Sequence, residues 1–585
     1  MADHSAVREF FELFKTPWEF YRRGERYEVL LSASGQVIGG VANLVLVYGG
    51  EKTPFDAESG VKVGSEYKDT IVSYRGIRIP IYGSCITFRS EGSRTITEET
   101  SKESITYANR SNGEMRVRIG YDLFRQIRFL LTVGQPPACA RMPALEMHVA
   151  LLRDVIVGCS IPLVEIPPIP EGHGFMVCLT HDVDHPSLRH HKCDHTMFGF
   201  LYRAVVGSLI NVVRGRMSVR QLFTNWSAAL MLPFVHLRLA KDSWYAFDRY
   251  LEIEKGLGST FFVIPCKDNP GRRADRPAPA WRAARYDPSD IEDHIQKFVS
   301  SGNEVGTHGI DAWIDSSEGR KERERISRFT KASEMGVRMH WLYFDERSPV
   351  ALERAGFSYD STFGYNETVG YRAGTMQVFK PLNAATLLEL PLNVMDTALF
   401  RSSHLNLSPQ EAKDIVGGIV NDAVRFGGAL TVNWHDRSIA PERLWDEFYV
   451  ELIDEMKSRG AWFPTAAQAV SWFRKRRSAV FRTVRRENGA LRISASTDTD
   501  DESPGLRIRV YHPESERSTD WGSEARPGRF MDLILNKTLD ICVPIQRPVI
   551  ANEAATSEQP TRNWSQRILR PQQTIAGLNH RHIER

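Results

Sequence analysis

The 585-residue chain lacks any run of about 18 uncharged apolar residues, the length a helix needs to cross a bilayer. A spanning segment is therefore not expected. Its richest apolar stretch, residues 228–235, is too short and runs into Arg238 and Lys241. Cysteine is sparse. The seven thiols, Cys85, Cys139, Cys159, Cys178, Cys193, Cys266 and Cys542, are widely spaced and form no CxxC pair. That argues against a disulfide framework and against a thiolate zinc site. A surplus of charge is missing too: the formal net charge is only +3, so composition gives no reason to invoke a nucleic acid or another polyanion as partner. The opening residues, MADHSAVREFFELF, carry acids and no long apolar core, and do not read as a signal peptide. With reduced thiols, this points to a cytoplasmic location. No internal repeat is visible.

What is present is an ordinary globular composition, 42% hydrophobic and 25% charged, on a chain too long for a single core. Residues 1–170 mix an amphipathic helix (7–14) with strand-like runs (27–31 and 41–48), an α+β pattern without recognisable chemistry. They end in IPLVEIPPIP (161–170), which reads as a stiff, extended linker. From 171 to 477 short apolar runs (175–180, 260–264, 304–307, 387–392, 429–433) alternate with helical periods (288–300, 318–335, 408–426, 442–458). Strand–helix alternation over about 300 residues predicts an α/β fold with a parallel sheet, a (β/α) barrel with fewer than eight regular strands. Residues 478–551 read as a small β module, with strands at 491–495, 506–511 and 531–535 and an acidic run at 498–502. Residues 552–585 are polar and read as a disordered tail.

Three of the middle strands end in residues able to bind a metal or move a proton. Residues 175–180 run into His181-Asp182-Val183-Asp184-His185, 304–307 into His308, and 429–433 into Trp434-His435-Asp436. Parallel α/β folds gather catalytic groups at the carboxyl ends of strands, around one mouth. Asp182 and Asp184 lie two apart, so continued strand geometry points both the same way. A divalent cation relieves the repulsion of two such carboxylates, leaving one to ligate and one to take a proton. Taken by itself a DxD pair after a strand is as often a turn or a helix cap; the matching histidines shift the balance towards chemistry.

CLTHDVDH, STFFVIP (259–265), GNEVGTHG (302–309), Arg338 in RMHWLYFD, LELPLNVMD (388–396) and LTVNWHD (430–436) resemble, in order, motifs of the polysaccharide deacetylase (NodB-like, carbohydrate esterase) family in its DxD form. The resemblance spans roughly residues 175–472. It implies a bacterial hydrolase of acetylated carbohydrate. In it Asp184 and His308 hold a divalent metal, expected to be zinc, Asp182 is the general base and Arg338 orients Asp182. His435 is the acid that protonates the leaving group, and Asp396 orients His435.

One departure matters. The family repeats a metal histidine four residues after the first, where this chain has Ala312. Asp311 is the preferred third ligand, with His340, His181 and His185 as alternatives. Trp434 and Trp313 are candidate sugar-stacking walls, though an aromatic at a strand end is more often core. Arg372, in GYRAGT (370–375), is a candidate substrate contact or a solvated turn residue. The cluster His190-His191-Lys192-Cys193-Asp194-His195 could form a second metal site, but such loops more often hold nothing. Residues 198–239 read as inserted helices over the barrel mouth, with a membrane-surface role as the less common outcome. Two functions compete: a working deacetylase, favoured by the intact Asp182, Asp184, His308 and His435, and a glycan-binding scaffold that has lost catalysis, favoured by Ala312.

Overall fold

The computed structural model describes residues 4–33, 35, 40–89, 95–111, 113–215, 217–274, 276–498, 503–512 and 530–545. The 552–585 tail and most of the acidic run lie outside them. The middle of the chain builds one parallel sheet from β1 (Phe175–Val183), β2 (Ser259–Val263), β3 (Glu304–Gly309), β4 (Gly336–Met339), β5 (Tyr359–Asp360), β6 (Leu388–Glu389), β7 (Val394–Met395), β8 (Ala429–Asn433) and β9 (Ala461–Trp462). The order across the sheet is β6-β5-β4-β3-β2-β1-β8-β7, with β9 also on β1. All pairings are parallel. Every residue of β1, β2 and β8 is buried, as expected of strands covered on both faces.

The two edge strands, β6 and β7, are consecutive in the chain. Four residues, five Cα–Cα steps, separate Glu389 from Val394, so the edges stand no more than about 18 Å apart and the sheet must curl. The connecting chain stitches the gap: Leu390 N–H donates to Asp360 O and Asn393 N–H to Thr431 O. The result is a curled, irregular (β/α) barrel. Its outer helices include Glu292–Ser300, Ser316–Thr330, Pro409–Phe426 and Asp446–Ser458. Their ends are locally coded, as where Ser408 and Glu411 form a reciprocal capping box and Asp315 accepts from the amides of Ser317 and Glu318.

The N-terminal region contains the helix His4–Phe14 and the strands Tyr27–Ser32 and Ala42–Tyr48, close to the expected runs. It does not stand apart from the barrel. Its core is shared with Phe363, Ala373 and Phe379 from the long β5–β6 connection. The proline-rich stretch is no free spacer either: Leu163–Glu165 is a buried strand, antiparallel to Leu506–Tyr511 of the C-terminal module. That module comprises two small antiparallel sheets, the second formed by Val480–Glu487, Ala490–Ser496 and Thr538–Pro544.

Arg476, on the helix Ala466–Ser478, is buried and ties these pieces together. Its guanidinium donates to Leu13 O at 2.8 Å and to Ile166 O at 2.7 and 2.9 Å. Next to it, Arg477 makes two 2.8 Å bonds to Glu9. Arg476→Met keeps the bulk but strands those carbonyls at about 1–3 kcal/mol each. It should lower stability by about 2–4 kcal/mol in a denaturant titration and leave metal affinity unchanged.

Candidate metal centre and catalytic cleft

Side-chain alternation fixes the site before any tertiary contact is considered. Thr180, Asp182 and Asp184 fall on one face of β1 and its extension. Register places Thr180 opposite Asn433 and His308 opposite Arg338. Two residues further on, His435 continues the face of Asn433, and His340 continues that of Arg338.

Asp184, His308 and His340 converge. Their ligand atoms all lie within 4.8 Å of one another, the one such group of three among the described residues. Asp184 Oδ1 stands 3.4 Å from His308 Nε2 and 3.5 Å from His340 Nε2. It is buried without a hydrogen-bond partner, which is costly for a carboxylate oxygen unless a cation sits beside it. His308 Nδ1 lies 2.9 Å from Arg338 O, and donating there fixes the tautomer that turns a lone pair on Nε2 towards Asp184. Burial drives the pKa of His340 well below its ordinary value, keeping it neutral as a ligand must be. One carboxylate and two imidazoles fit a divalent cation with open positions.

Behind the triad, Asp182 is held on both oxygens. Oδ1 accepts from Arg338 Nη1 at 3.0 Å, and Oδ2 from Asn433 Nδ2 at 2.8 Å. Burial would raise its pKa, but the fields of His308, which is cationic only when protonated, and of Arg338 and His435 outweigh burial and hold it below the usual carboxylate value. Across the cleft, His435 Nε2 lies 3.8 Å from Asp184 Oδ2, and its Nδ1 lies 2.6 Å from Asp396 Oδ1. Asp396 also accepts from the His435 amide at 2.7 Å and from the Ser438 hydroxyl. Burial alone would disfavour the imidazolium. The charge and hydrogen bond of Asp396, with Asp184 and Asp182 behind it, carry His435 up to about 9. The site therefore pairs an ionised carboxylate with a protonated imidazole.

The group opens into a cavity of about 580 Å³. Its lining includes the aromatics Trp281, Trp341 and Tyr343 and the arginines Arg203, Arg401, Arg437 and Arg443. These residues escaped the sequence reading, although Trp341 and Tyr343 directly follow a strand end, where a rim residue must lie.

The structure thus brings together Asp182, Asp184, His308, Arg338, Asp396 and His435, and it adds His340. Asp311 is not in the triad. The chain turns after Gly309, Glu322 accepts from the amides of Ile310 and Asp311, and Asp311 Oδ1 accepts from the Arg272 amide at 2.8 Å. Ala312 is fully buried against Gly319. Trp434 is also fully buried, stacked on Tyr449 and Phe448, and Trp313 packs on Tyr343 without lining the cavity. Both belong to the core. Arg372 faces a different cavity beside Tyr82 and Tyr365; its guanidinium lies 4.6 Å over Phe363 and donates to Gly364 O. The glycines of GYRAGT serve close packing: a Cβ on Gly370 would meet Ala140 O at 2.1 Å. His181 is core as well, stacked on Phe261 and 2.9 Å from Glu254. The His190–His195 cluster gathers no ligand triad; His191 instead bridges His185 at 3.2 Å and Asp194 at 2.7 Å.

No family model matches the chain, and neither does any curated protein. Among solved structures it is similar to polysaccharide deacetylases and proteins of the CE4 family. A probable polysaccharide deacetylase from Pseudomonas aeruginosa PAO1 is 14% identical, with 53% of this chain and 94% of that one covered, at a TM-score of 0.33. Puue allantoinase is 14% identical, covering 52% of this chain and 92% of its own, also at 0.33. A CE4 family pseudoenzyme from Bacillus anthracis is 14% identical over 39% of this chain and 61% of its own, at 0.22. At such TM-scores the barrel assignment rests on strand order and register rather than on these likenesses.

Two outcomes follow from the geometry. Asp184→Asn and His340→Ala should each lose a bound divalent ion by elemental analysis, whereas Asp311→Asn should keep it. Asp396→Asn takes away the nearest negative charge, the one that does most to raise His435. An NMR titration of that imidazole should then show its pKa falling from the wild-type value.

Proposed function

We propose that the chain is a divalent-metal-dependent hydrolase that removes N- or O-linked acetyl groups from a sugar carrying an anionic group. The observation that carries the reading is the orphaned Asp184 Oδ1 between two imidazoles, flanked by the Asp182–Arg338 and Asp396–His435 pairs. Nitrogen-rich donors with a single carboxylate suit zinc. When bound, the ion would polarise the acyl carbonyl and acidify an attacking water. Asp182 takes the proton of that water, held in place by Arg338 and Asn433. His435 gives its proton to the departing nitrogen or oxygen, and Asp396 keeps its Nε2 turned into the cleft. Trp341 and Tyr343 offer flat apolar faces for a sugar ring.

The four arginines supply the charge specificity. Arg203 lies 3.5 Å from Glu442, while Arg437 is over Trp244. Burial and the neighbouring Arg443 bring Arg437 down to about 9. So dense a positive wall favours a phosphate or carboxylate on the substrate. The competing reading, a glycan-binding scaffold without catalysis, drew its weight from Ala312. His340, just after the next strand, offers a third donor in place of the histidine missing there and favours the hydrolase reading.

Acetate release from acetylated, negatively charged sugars tests the proposal. Asp182→Asn should abolish release while metal stays bound. His435→Ala should slow it by about 10²–10⁴-fold, and less on an aryl acetate whose leaving group needs no proton. Arg401→Gln should raise KM for an anionic substrate more than for its neutral counterpart. Full activity in Asp182→Asn would sink the mechanism.

A further inference from the structure

Between β1 and β2 the chain inserts a helical hairpin, with arms His195–Val213 and Val219–His236. Its inner side is well partnered. Phe200, Ala204, Leu232 and Val235 pack on Trp244 and Ala440, and Asn225 Oδ1 accepts from the Glu442 amide at 2.8 Å. The arms are joined by Asn225 Nδ2 to Ser208 Oγ at 2.7 Å and Trp226 Nε1 to Val205 O at 3.3 Å. A π-helical turn at Arg203–Gly207 lies where Arg203 reaches the cavity, the kind of place such bulges mark.

Among the described residues, the outer side is left largely uncovered. Of the twenty-three large hydrophobic side chains exposed among the described residues, fourteen lie between Phe198 and Leu239. Phe198 is 57% exposed, Tyr202 61%, Val213 81%, Phe223 61%, Leu230 75% and Leu237 67%. Soluble surfaces scatter such residues singly, and concentrations of them mark interaction surfaces. The charge pattern says with what. From residue 195 to 241 the sequence has no Asp or Glu, yet it has Arg203, Arg214, Arg216, Arg220, Arg238 and Lys241. In a chain with 72 acids and 75 bases overall, this is the longest stretch without an acid. Exposed apolar residues, a Trp, and basic residues without acids are the composition of a helix lying in the headgroup region of an anionic bilayer.

We propose that this hairpin docks the protein on an anionic lipid surface, with its outer face in the interface and the cleft opening beside it. His195–Val213 is long and apolar enough to cross a membrane by length and composition alone, although Arg203 interrupts its apolar run. Spanning is the poorer solution. Arg203 sits in the middle of that stretch, 3.5 Å from Glu442. Insertion would strip it from this partner, uncover Trp244, and bury a charge at the bilayer centre, which is costly. Lying flat keeps every inner contact. Arg203, on the docking element and in the cavity wall at once, places the anion-binding side of the cleft next to the lipid. If the proposed hydrolase reading holds, the acetylated sugar is then one presented at that surface.

Flotation of the full-length chain with vesicles tests docking without reference to turnover. The chain should float with phosphatidylglycerol–phosphatidylcholine vesicles and far less with phosphatidylcholine alone, the difference shrinking as salt rises. Phe198→Ser/Phe223→Ser/Leu230→Ser, all exposed positions, should weaken vesicle binding at least tenfold. Arg214→Gln/Arg220→Gln should lose the preference for anionic over neutral vesicles. Equal flotation of the triple variant, or none by the wild type, would overturn the proposal. So would a lipid-indifferent dimer that the triple substitution converts to monomer, because the face would then be an interface between copies. Hydrolysis of a soluble acetylated sugar, measured alongside, reports on the catalytic reading separately. Vesicle binding without any hydrolysis would count against that reading and leave docking intact.

Discussion

The C-terminal layer of the barrel is arranged around one buried guanidinium. Arg338 is fully buried in β4, and its donors reach Thr180 and Asp182 on β1 and both the carbonyl and hydroxyl of Ser361 after β5. Removing so strongly solvated a group from water costs several kcal/mol, recovered only when every donor finds an acceptor in good geometry. The three strands are therefore fixed in mutual register at the height of the candidate metal centre. The carbonyl of the same residue orients His308, and its charge helps keep Asp182 ionised. The candidate ligand His308, the carboxylate Asp182 and the strand register thus share a single anchor. Phe262, whose ring the guanidinium overlies at 4.5 Å, closes the remaining side.

Strand alternation, the dominant signal in the sequence, located most of this. β8 falls where the apolar run placed it, at Ala429–Asn433, and the helix after Ser408 begins at its capping box. Asp182, Asp184, His308 and His435 were legible because each ends a strand. His340 was legible too, but by a different rule: it follows Arg338 by two and so shares its face. The neighbouring position, Ala312, where the family places its second histidine, drew attention to Asp311 instead, whereas the third member of the triad, His340, follows the adjacent strand. What could not be read were the roles of aromatic residues. Trp434 directly precedes His435, so alternation turns it away from the cleft into the helix layer, while Trp341 adopts a positive φ of 62° and remains on the rim. No periodicity announces a left-handed residue.

GYRAGT teaches the same point. Arg372 suggested a substrate contact or a solvated turn, but the segment's glycines permit close contact with the N-terminal helices. Tyr371 N–H donates to Ala140 O, and Gln135 N–H and Leu145 N–H donate to Arg372 O and Gly374 O. A glycine-rich motif shows that backbone must come close to something. Here the something is protein.

The strand Leu163–Glu165 has a consequence for how the molecule comes into being. Its partner Leu506–Tyr511 lies more than three hundred residues later, and Tyr511 hydroxyl to Glu165 is a contact at a sequence separation of 346. During synthesis that strand emerges early and waits through the whole barrel for its neighbour. Until then its edge offers unpaired amides and carbonyls to any passing chain. Closure of so distant a pair is slow compared with local folding. The nascent polypeptide therefore passes through a long window in which its barrel can be complete and its flank still open.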